Sequence, residues 1–238
     1  MTITKIRVWA MLALVIVATA FTSCLKTDNP TPQRPQAGFG VINAILTNRQ
    51  MDFYDQGQKV NTNPINTSSL LVPYVVYGGV HIFAFKAVGQ ATDLATTTYR
   101  VDSMTYNTII AWGDSTQTYM RAVKDDFTSA KDDKVNFRFF HLSPNIPAVD
   151  LYLDNQKVDS NRTYVGGGNF DFTFKQPKNS IYSNNIKVKL AGTDSVLVEN
   201  TSPAQTFQPN RVYTIVLSGD KSFTDVRKLV VNNMYSLY

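Results

Sequence analysis

The chain contains an internal repeat, which limits the folds open to it more than any other feature of the sequence. Residues 51–60 read MDFYDQGQKV and residues 149–158 read VDLYLDNQKV, so that Asp, Tyr, Gln, Lys and Val match without a gap. Residues 80–114 align in the same way with residues 186–220. A repeat of about 100 residues is the size of a small domain. The sequence therefore predicts two related units, residues 37–124 and residues 135–238.

Both copies carry the pattern of short β-strands. Apolar residues alternate with polar ones, as in Val149, Leu151 and Leu153, and Gly, Asn, Asp and Pro interrupt the runs at short spacing. No part of the chain after the leader has a convincing helical stripe. About seven short strands in roughly 100 residues favour a β-sandwich. We therefore expect an all-β fold of two tandem immunoglobulin-like β-sandwiches, preceded by a signal peptide and a Pro-rich tether.

The N-terminal segment has the order of a secretory signal. Lys5 and Arg7 precede an apolar run over residues 8–21, and Thr22-Ser23-Cys24 follows. A membrane-spanning helix needs about 20 apolar residues, so a transmembrane segment is the weaker interpretation. Residues 21–24 (FTSC) resemble a lipobox, the signal-peptidase II site of bacterial lipoproteins, although Phe21 stands where Leu is usual. We expect cleavage after residue 23 and lipid on Cys24. The alternative is a plain signal peptide.

Cys24 is the only cysteine, so it has no partner for a disulfide within the chain. Residues 24–36 then include Pro30, Pro32 and Pro35, a composition typical of a semi-stiff tether. Several acyl chains would hold the protein stably at a membrane. The predicted location is the bacterial cell envelope, most simply the outer membrane, facing either the periplasm or the cell surface.

A charged segment separates the two copies. Residues 124–134 read KDDFTSAKDDK, which a hydrophobic core does not absorb. The sequence therefore predicts a solvated linker over residues 125–134. Its acids also suggest calcium, but the spacing of an EF-hand loop is absent.

Residues 137–158 (FRFFHLSPNIPAVDLYLDNQKV) resemble the opening of the bacterial domain-of-unknown-function family numbered 4397. The matching residues are His141, Ser143, Pro144, Pro147, Val149, Asp150 and Tyr152. The first copy keeps Asp52 and Tyr54 but lacks the prolines, so we interpret it as a degenerate copy. The resemblance implies a β-sandwich protein of the envelope and brings no assigned activity.

The residues do not indicate an enzyme. The two histidines, His81 and His141, are too few for a metal site, and we expect His141 to be bonded locally at a strand end. Asp52 and Asp150 occupy equivalent positions in two copies, which favours a structural role at a turn or strand start. We expect no metal and no cofactor. The formal charge of +5 is scattered, and Lys5 and Arg7 belong to the leader, so nucleic-acid binding is not indicated either.

Two functions stay open. The first is a binding or adhesion module for a glycan or an envelope protein, because loops on a rigid scaffold commonly carry recognition. The candidate ligand-binding aromatics near predicted turns are Tyr74, Tyr77, Trp112 and Tyr164. The second is a structural or accessory subunit of an envelope complex. An exposed apolar patch or an open edge strand would favour the second.

Overall fold

The computed structural model describes residues 34–179, 181, 185–202 and 207–236. The described residues contain β-strands and no helix, so none of them forms a helix long and apolar enough to cross a membrane. The predicted signal peptide and Cys24 lie outside the described residues. The strands are β1 Gln36–Leu46, β2 Met51–Asp55, β3 Gln58–Lys59, β4 Ser69–Tyr77, β5 Gly79–Ala87, β6 Asp93–Val101, β7 Tyr106–Asp114, β8 Thr118–Lys124, β9 Val135–His141, β10 Val149–Leu153, β11 Gln156–Arg162, β12 Ile186–Leu190, β13 Val196–Asn200, β14 Arg211–Ser218 and β15 Val230–Ser236.

These strands form four sheets. Sheet 1 has the order β4-β1-β7-β8, and sheet 2 has the order β3-β2-β5-β6. Sheet 3 has the order β15-β14-β9, and sheet 4 has the order β11-β10-β12-β13. Neighbouring strands are antiparallel except for two pairs, β1 with β7 and β9 with β14. The expectation of an all-β protein is therefore confirmed.

The four sheets stack as layers because the central strands bury both faces. In β1, the odd-numbered Val41 and Ile45 pack against sheet 2, whereas the even-numbered Ile42 and Ala44 point the opposite way. A second cluster fills the space between sheets 3 and 4. Burial on both faces explains why β1, β7 and β14 carry apolar residues on both sides of the sheet and do not strictly alternate.

A third apolar cluster joins sheet 1 to sheet 3. Ile42 and Trp112 from the first repeat copy meet Phe140, Val216 and Met234 from the second. Residues 35–238 accordingly form one compact unit. The second half of the chain therefore covers part of the outer face of sheet 1.

The two halves share a strand order. In each, one sheet contains a parallel pair (β1–β7, β9–β14), which is central in sheet 1 and includes the edge strand β9 in sheet 3. A hairpin (β2–β3, β10–β11) lies in the other sheet of each half. The repeated segments 51–60 and 149–158 lie at these hairpins. The second half differs at the position of β4, where only an isolated bridge from Phe137 to Lys175 is formed.

Residues 125–134, between β8 and β9, contain no strand, but they are not wholly solvated. Asp125 is buried, and its carboxylate lies 2.8 Å from Nη1 of Arg138. The backbone N–H of Asp125 donates to the carbonyl of Tyr106. The expectation of a solvated linker is therefore wrong for Asp125. A carboxylate enters the core here because a buried arginine pairs with it.

Candidate binding surface

Trp112, the first of the predicted ligand-binding aromatics, is a core residue. Its side chain is 2% exposed and belongs to the cluster between sheets 1 and 3. The indole Nε1–H donates to the carbonyl of Gly166 at 2.8 Å, and the ring stacks on Tyr119. Trp112 is therefore not available to a ligand on the surface. The Gly-rich turn that accepts its hydrogen bond lies 54 residues later in the chain, a distance that local sequence patterns do not reveal.

Tyr164 lies at the border of the same cluster and is half-buried. Burial raises the pKa of its hydroxyl to about 12, and the nearby Tyr119 and Asp114 add to the rise. A tyrosine with a raised pKa stays protonated at neutral pH and is a poor nucleophile or base. Its position supports packing more than ligand recognition.

Tyr74 belongs to a polar cluster at the corner between β4 and β5. Its hydroxyl donates to Oδ2 of Asp55 at 2.7 Å, and Nδ1 of His81 lies 2.9 Å from the same carboxylate. Burial and the hydrogen bond to Asp55 both raise the pKa of Tyr74. Nε2 of His81 faces the carbonyl of Tyr77 at 3.0 Å. Both ring nitrogens of His81 are thus engaged, so the cluster fixes the corner and offers no free base.

Tyr77, the fourth candidate, has an exposed side chain on the outer face of the edge strand β4. It lies beside Gln36, the first residue of β1, because these two residues are paired in the sheet. Of the four aromatics expected to bind a ligand, only Tyr77 has an exposed side chain, at 45%. The structure does not bring the four together into one site.

Asp150 and Asp52 are buried acids, and each pairs with a lysine. Oδ1 of Asp150 accepts the N–H of Asn161 at 2.9 Å, and Oδ2 accepts the N–H of Gly192 at 3.2 Å. Both donors follow Asp150 in the chain, and neither belongs to the proline-rich turn that precedes it. Lys157 Nζ lies 2.7 Å from Asp150, and the equivalent Lys59 lies 2.8 Å from Asp52.

The repeated tyrosines also have matching surroundings. Tyr54 lies under the ammonium group of Lys86 at 5.1 Å, and Tyr152 lies under Lys189 at 4.8 Å. Lys157 approaches the ring of Tyr152 as well, at 5.7 Å. These distances allow cation–π attraction. The Asp-x-Tyr repeat thus places a buried acid and a half-exposed aromatic on the outer face of each outer sheet.

The His-x-Ser-Pro segment ties two turns together. Nε2 of His141 lies 3.1 Å from the carbonyl of Pro147, and Nδ1 accepts the N–H of Ser143 at 3.3 Å. The hydroxyl of Ser143 donates to the carbonyl of Gly219, in the turn after β14. Burial lowers the pKa of His141, which keeps the ring neutral. His141 is bonded locally, as expected. Pro144 and Pro147 shape the turn and are not buried.

The described residues contain no group of three or more His, Cys, Asp or Glu side chains that could hold a metal ion. The acids of the charged segment do not converge, since Asp125 points inward to Arg138 while Asp132 and Asp133 are exposed.

A polar cleft at the end of the first half was missed by sequence reasoning. Asn48, Arg49 and Gln50 from the β1–β2 loop face Val88 and Gln90 from the β5–β6 turn across about 570 Å³. The two loops are held together by the N–H of Val88, which donates to the carbonyl of Gln50 at 2.9 Å. We call this surface the distal cleft, because it lies beyond the end of β1 that is farthest from Gln36.

The side chains of the distal cleft have unused hydrogen-bonding capacity. Asn48, Arg49, Gln50 and Gln90 are exposed, and within the described part of the chain their side chains form no hydrogen bond or ion pair. Three amides and one guanidinium group can donate and accept several hydrogen bonds. The sequence of the loop, TNRQ, does not by itself indicate a binding site. The site is recognised only because the fold brings this loop next to Gln90, which is 40 residues after Gln50 in the chain.

Part of the chain matches the model of a known domain family. The sequence model of the family described as "Domain of unknown function (DUF4397)" matches residues 37–152. The chain therefore resembles that domain family, as the residues around Pro144–Tyr152 indicated. The match covers β1 to β10, and so includes the first copy, which we interpreted as the degenerate one. The existence of two family copies stays a prediction. A comparison with curated proteins found no match.

Proposed function

We propose that the chain is a lipoprotein of the bacterial cell envelope, cleaved before Cys24 and anchored to the outer membrane by lipid on that residue. Support comes from the positive start, the apolar run over residues 8–21 and the single cysteine that follows them. The Pro-rich segment up to residue 36 then acts as the tether of the folded part, which begins at β1.

Labelling with radioactive palmitate tests the anchor. The wild-type chain should incorporate label, and Cys24→Ser should lose it, because no other cysteine exists in the sequence. Ser23→Ala is a matched control that keeps a small residue before the cut and should still be labelled. Equal labelling of the wild type and Cys24→Ser would refute the anchor.

We also propose that the folded part is a pair of tandem immunoglobulin-like β-sandwiches that binds a ligand without catalysing a reaction on it. The observation that carries this proposal is the distal cleft, where four polar side chains with free hydrogen-bonding capacity converge on one rigid end of the sheets. Loops on a rigid scaffold are the usual place for recognition. The groups that could serve as base or nucleophile elsewhere, such as His81, His141 and Ser143, are engaged in structural hydrogen bonds.

The chemistry of the distal cleft fits a hydroxyl-rich or carboxylate-bearing ligand. The amides of Asn48, Gln50 and Gln90 suit sugar hydroxyls or a peptide backbone, and Arg49 suits a carboxylate. The ligand is accordingly a glycan or the exposed loop of an envelope protein. Nearby Val88, which is 45% exposed, offers a small apolar contact.

A glycan array, run beside a pull-down from a detergent extract, tests the binding role. Bound glycans or proteins should be lost in Arg49→Ala with Gln90→Ala. One charge-assisted hydrogen bond contributes about 1.5–3 kcal/mol, so affinity should fall by about tenfold or more. Arg100→Ala is the matched control, since Arg100 is also an exposed arginine and lies on β6, outside the cleft. Binding that survives in the cleft variant would place the site elsewhere.

The second candidate function is a structural or accessory subunit of an envelope complex. It is favoured by the edge strand β4, whose exposed Val75 and Tyr77 lie on an open side of sheet 1. Open edges and apolar patches are typical of surfaces that receive another chain. An empty glycan array together with one stoichiometric protein in the pull-down would favour this alternative.

A further inference from the structure

An apolar patch lies at the end of the first half where the tether joins the fold. Four exposed side chains form it: Val75, Tyr77, Met104 and Tyr106. Their proximity follows from the sheet register, since Gly38 of β1 pairs with Val75 on one side and with Tyr106 on the other. Gln36 pairs with Tyr77, and its carbonyl accepts the N–H of Met104 at 2.9 Å. We call this surface the tether-end patch.

The tether-end patch is exposed because the second half of the chain covers only part of sheet 1. From Ile42 onward, the outer face of β1 is buried in the apolar cluster between sheets 1 and 3. Nearer the start of β1, the same face carries Gly38, and Tyr106 lies against it, with its ring atoms at 3.1 Å from where a Cβ would be. A groove of about 400 Å³ lies beside Gly38 and Tyr106, and none of the residues that line it is charged.

Met104 is placed at the tip of the patch by two tight turns. It has a positive φ of 60° in the β6–β7 turn, and its side chain is 82% exposed. The neighbouring β4–β5 turn packs closely, since a Cβ on Gly78 would lie 2.6 Å from Oγ of Ser103. The fold thus holds a large flexible apolar side chain in solvent, which costs free energy unless another apolar surface covers it.

We propose that the tether-end patch docks onto the lipid bilayer that holds the anchor. This inference rests on the proposed lipid at Cys24. The patch surrounds the first residue of β1, Gln36, which is 12 positions after Cys24 in the sequence. A Pro-rich tether spans about 3.1 Å per residue, so the patch stays within roughly 40 Å of the anchored lipid.

The chemistry of the patch fits the interfacial region of a bilayer. Tyr77 and Tyr106 have an apolar ring and a polar hydroxyl, a combination enriched where lipid headgroups meet acyl chains. Met104 and Val75 add purely apolar area. Docking would turn the distal cleft away from the membrane, since β1 runs from the patch toward the cleft over ten residue steps, about 33 Å.

Depth-dependent fluorescence quenching tests the proposal. The mature chain carries hexahistidine in place of Cys24 and is bound to a nickel-chelating lipid in phosphatidylethanolamine–phosphatidylglycerol (3:1) vesicles. This attachment makes the result independent of acylation in cells, which the palmitate experiment tests separately. An environment-sensitive dye is placed at Met104→Cys, now the only cysteine, and its emission is compared with and without spin-labelled lipids.

We expect the emission at Met104→Cys to shift to the blue and to be lost when spin-labelled lipids are present. The same dye at Val88→Cys, an exposed apolar position in the distal cleft, should show neither effect. Adding Val75→Glu to the Met104→Cys chain should abolish the quenching. Val196→Glu is the matched control, because Val196 is 47% exposed and Val75 is 51% exposed, and it should leave the quenching unchanged.

Equal quenching at Met104→Cys and Val88→Cys, or none at either position, would overturn the proposal. The patch could instead receive a second copy of the chain. Sedimentation of the unlabelled mature chain without vesicles would then show a dimer that Val75→Glu dissociates, and this result would also overturn docking onto lipid.

Discussion

The Asp150 carboxylate connects three segments of the second half of the chain. It accepts backbone N–H groups from Asn161 in β11 and from Gly192 in the β12–β13 turn, and it pairs with Lys157. Burial alone would raise the pKa of Asp150, but the hydrogen bonds from Lys157, Asn161 and Gly192 outweigh it and leave the pKa below its usual value. A carboxylate with a lowered pKa stabilises the folded state in its ionised form.

Asp150→Ala should lower the free energy of unfolding of the mature chain by about 1–3 kcal/mol, since it leaves two backbone donors without their acceptor. Asp150→Asn keeps one acceptor oxygen and should cost less. The stabilisation should be present above the unfolded pKa, about 3.9, and should be lost as the pH falls through the lower folded value. Denaturant unfolding at pH 7 and at lower pH measures both effects.

Asp194→Ala is the control for this experiment, because Asp194 is a fully exposed acid that also pairs with a lysine, Lys189. It should leave the unfolding midpoint nearly unchanged. Equal stability of the wild type and Asp150→Ala would contradict the structural role and would reopen a role in ligand binding.

At the scale of strands, the hairpins were the most predictable elements. The repeated segments predicted β2–β3 and β10–β11, because alternation and turn residues are local signals. Alternation was a weaker guide for β1, β7 and β14, where apolar residues face both sides of the sheet. A continuous apolar run of this kind indicates burial on both faces and therefore a further layer above the sheet.

The apolar cluster between sheets 1 and 3 was not predictable from local patterns. Trp112 precedes a turn in the sequence, which suggested exposure, but its partners Gly166 and Phe170 are supplied by a segment more than 50 residues later. The distal cleft depends in the same way on the meeting of Arg49 with Gln90. Local patterns specify strands and turns, whereas pairing between distant segments depends on the packing of the whole chain.

At the scale of the whole molecule, Arg138 is a buried polar link between the two halves. It is 1% exposed, its Nε donates to the hydroxyl of Thr214 at 2.9 Å, and its Nη2 donates to that of Thr108 at 2.6 Å. Thr108 in turn donates to Asp125, which pairs with Arg138. The guanidinium group also lies 4.7 Å from the ring centre of Phe174. Sheets 1 and 3 are therefore joined by a connected network as well as by apolar contacts.

Because the network and the apolar cluster both cross between the halves, we expect the mature chain to unfold in one cooperative transition. Arg138→Met should lower its stability by about 3–5 kcal/mol, since it leaves the carboxylate of Asp125 buried without a cation. Combining it with Asp125→Leu should restore much of the loss, because an apolar pair avoids burying an unpaired charge.

Arg227→Met is the matched control. Arg227 pairs with Asp225 at the surface at 2.6 Å, and a surface pair contributes about 0–1 kcal/mol. Calorimetry and circular dichroism measure these effects, and two separate transitions, with only one shifted by Arg138→Met, would show instead that the halves fold independently.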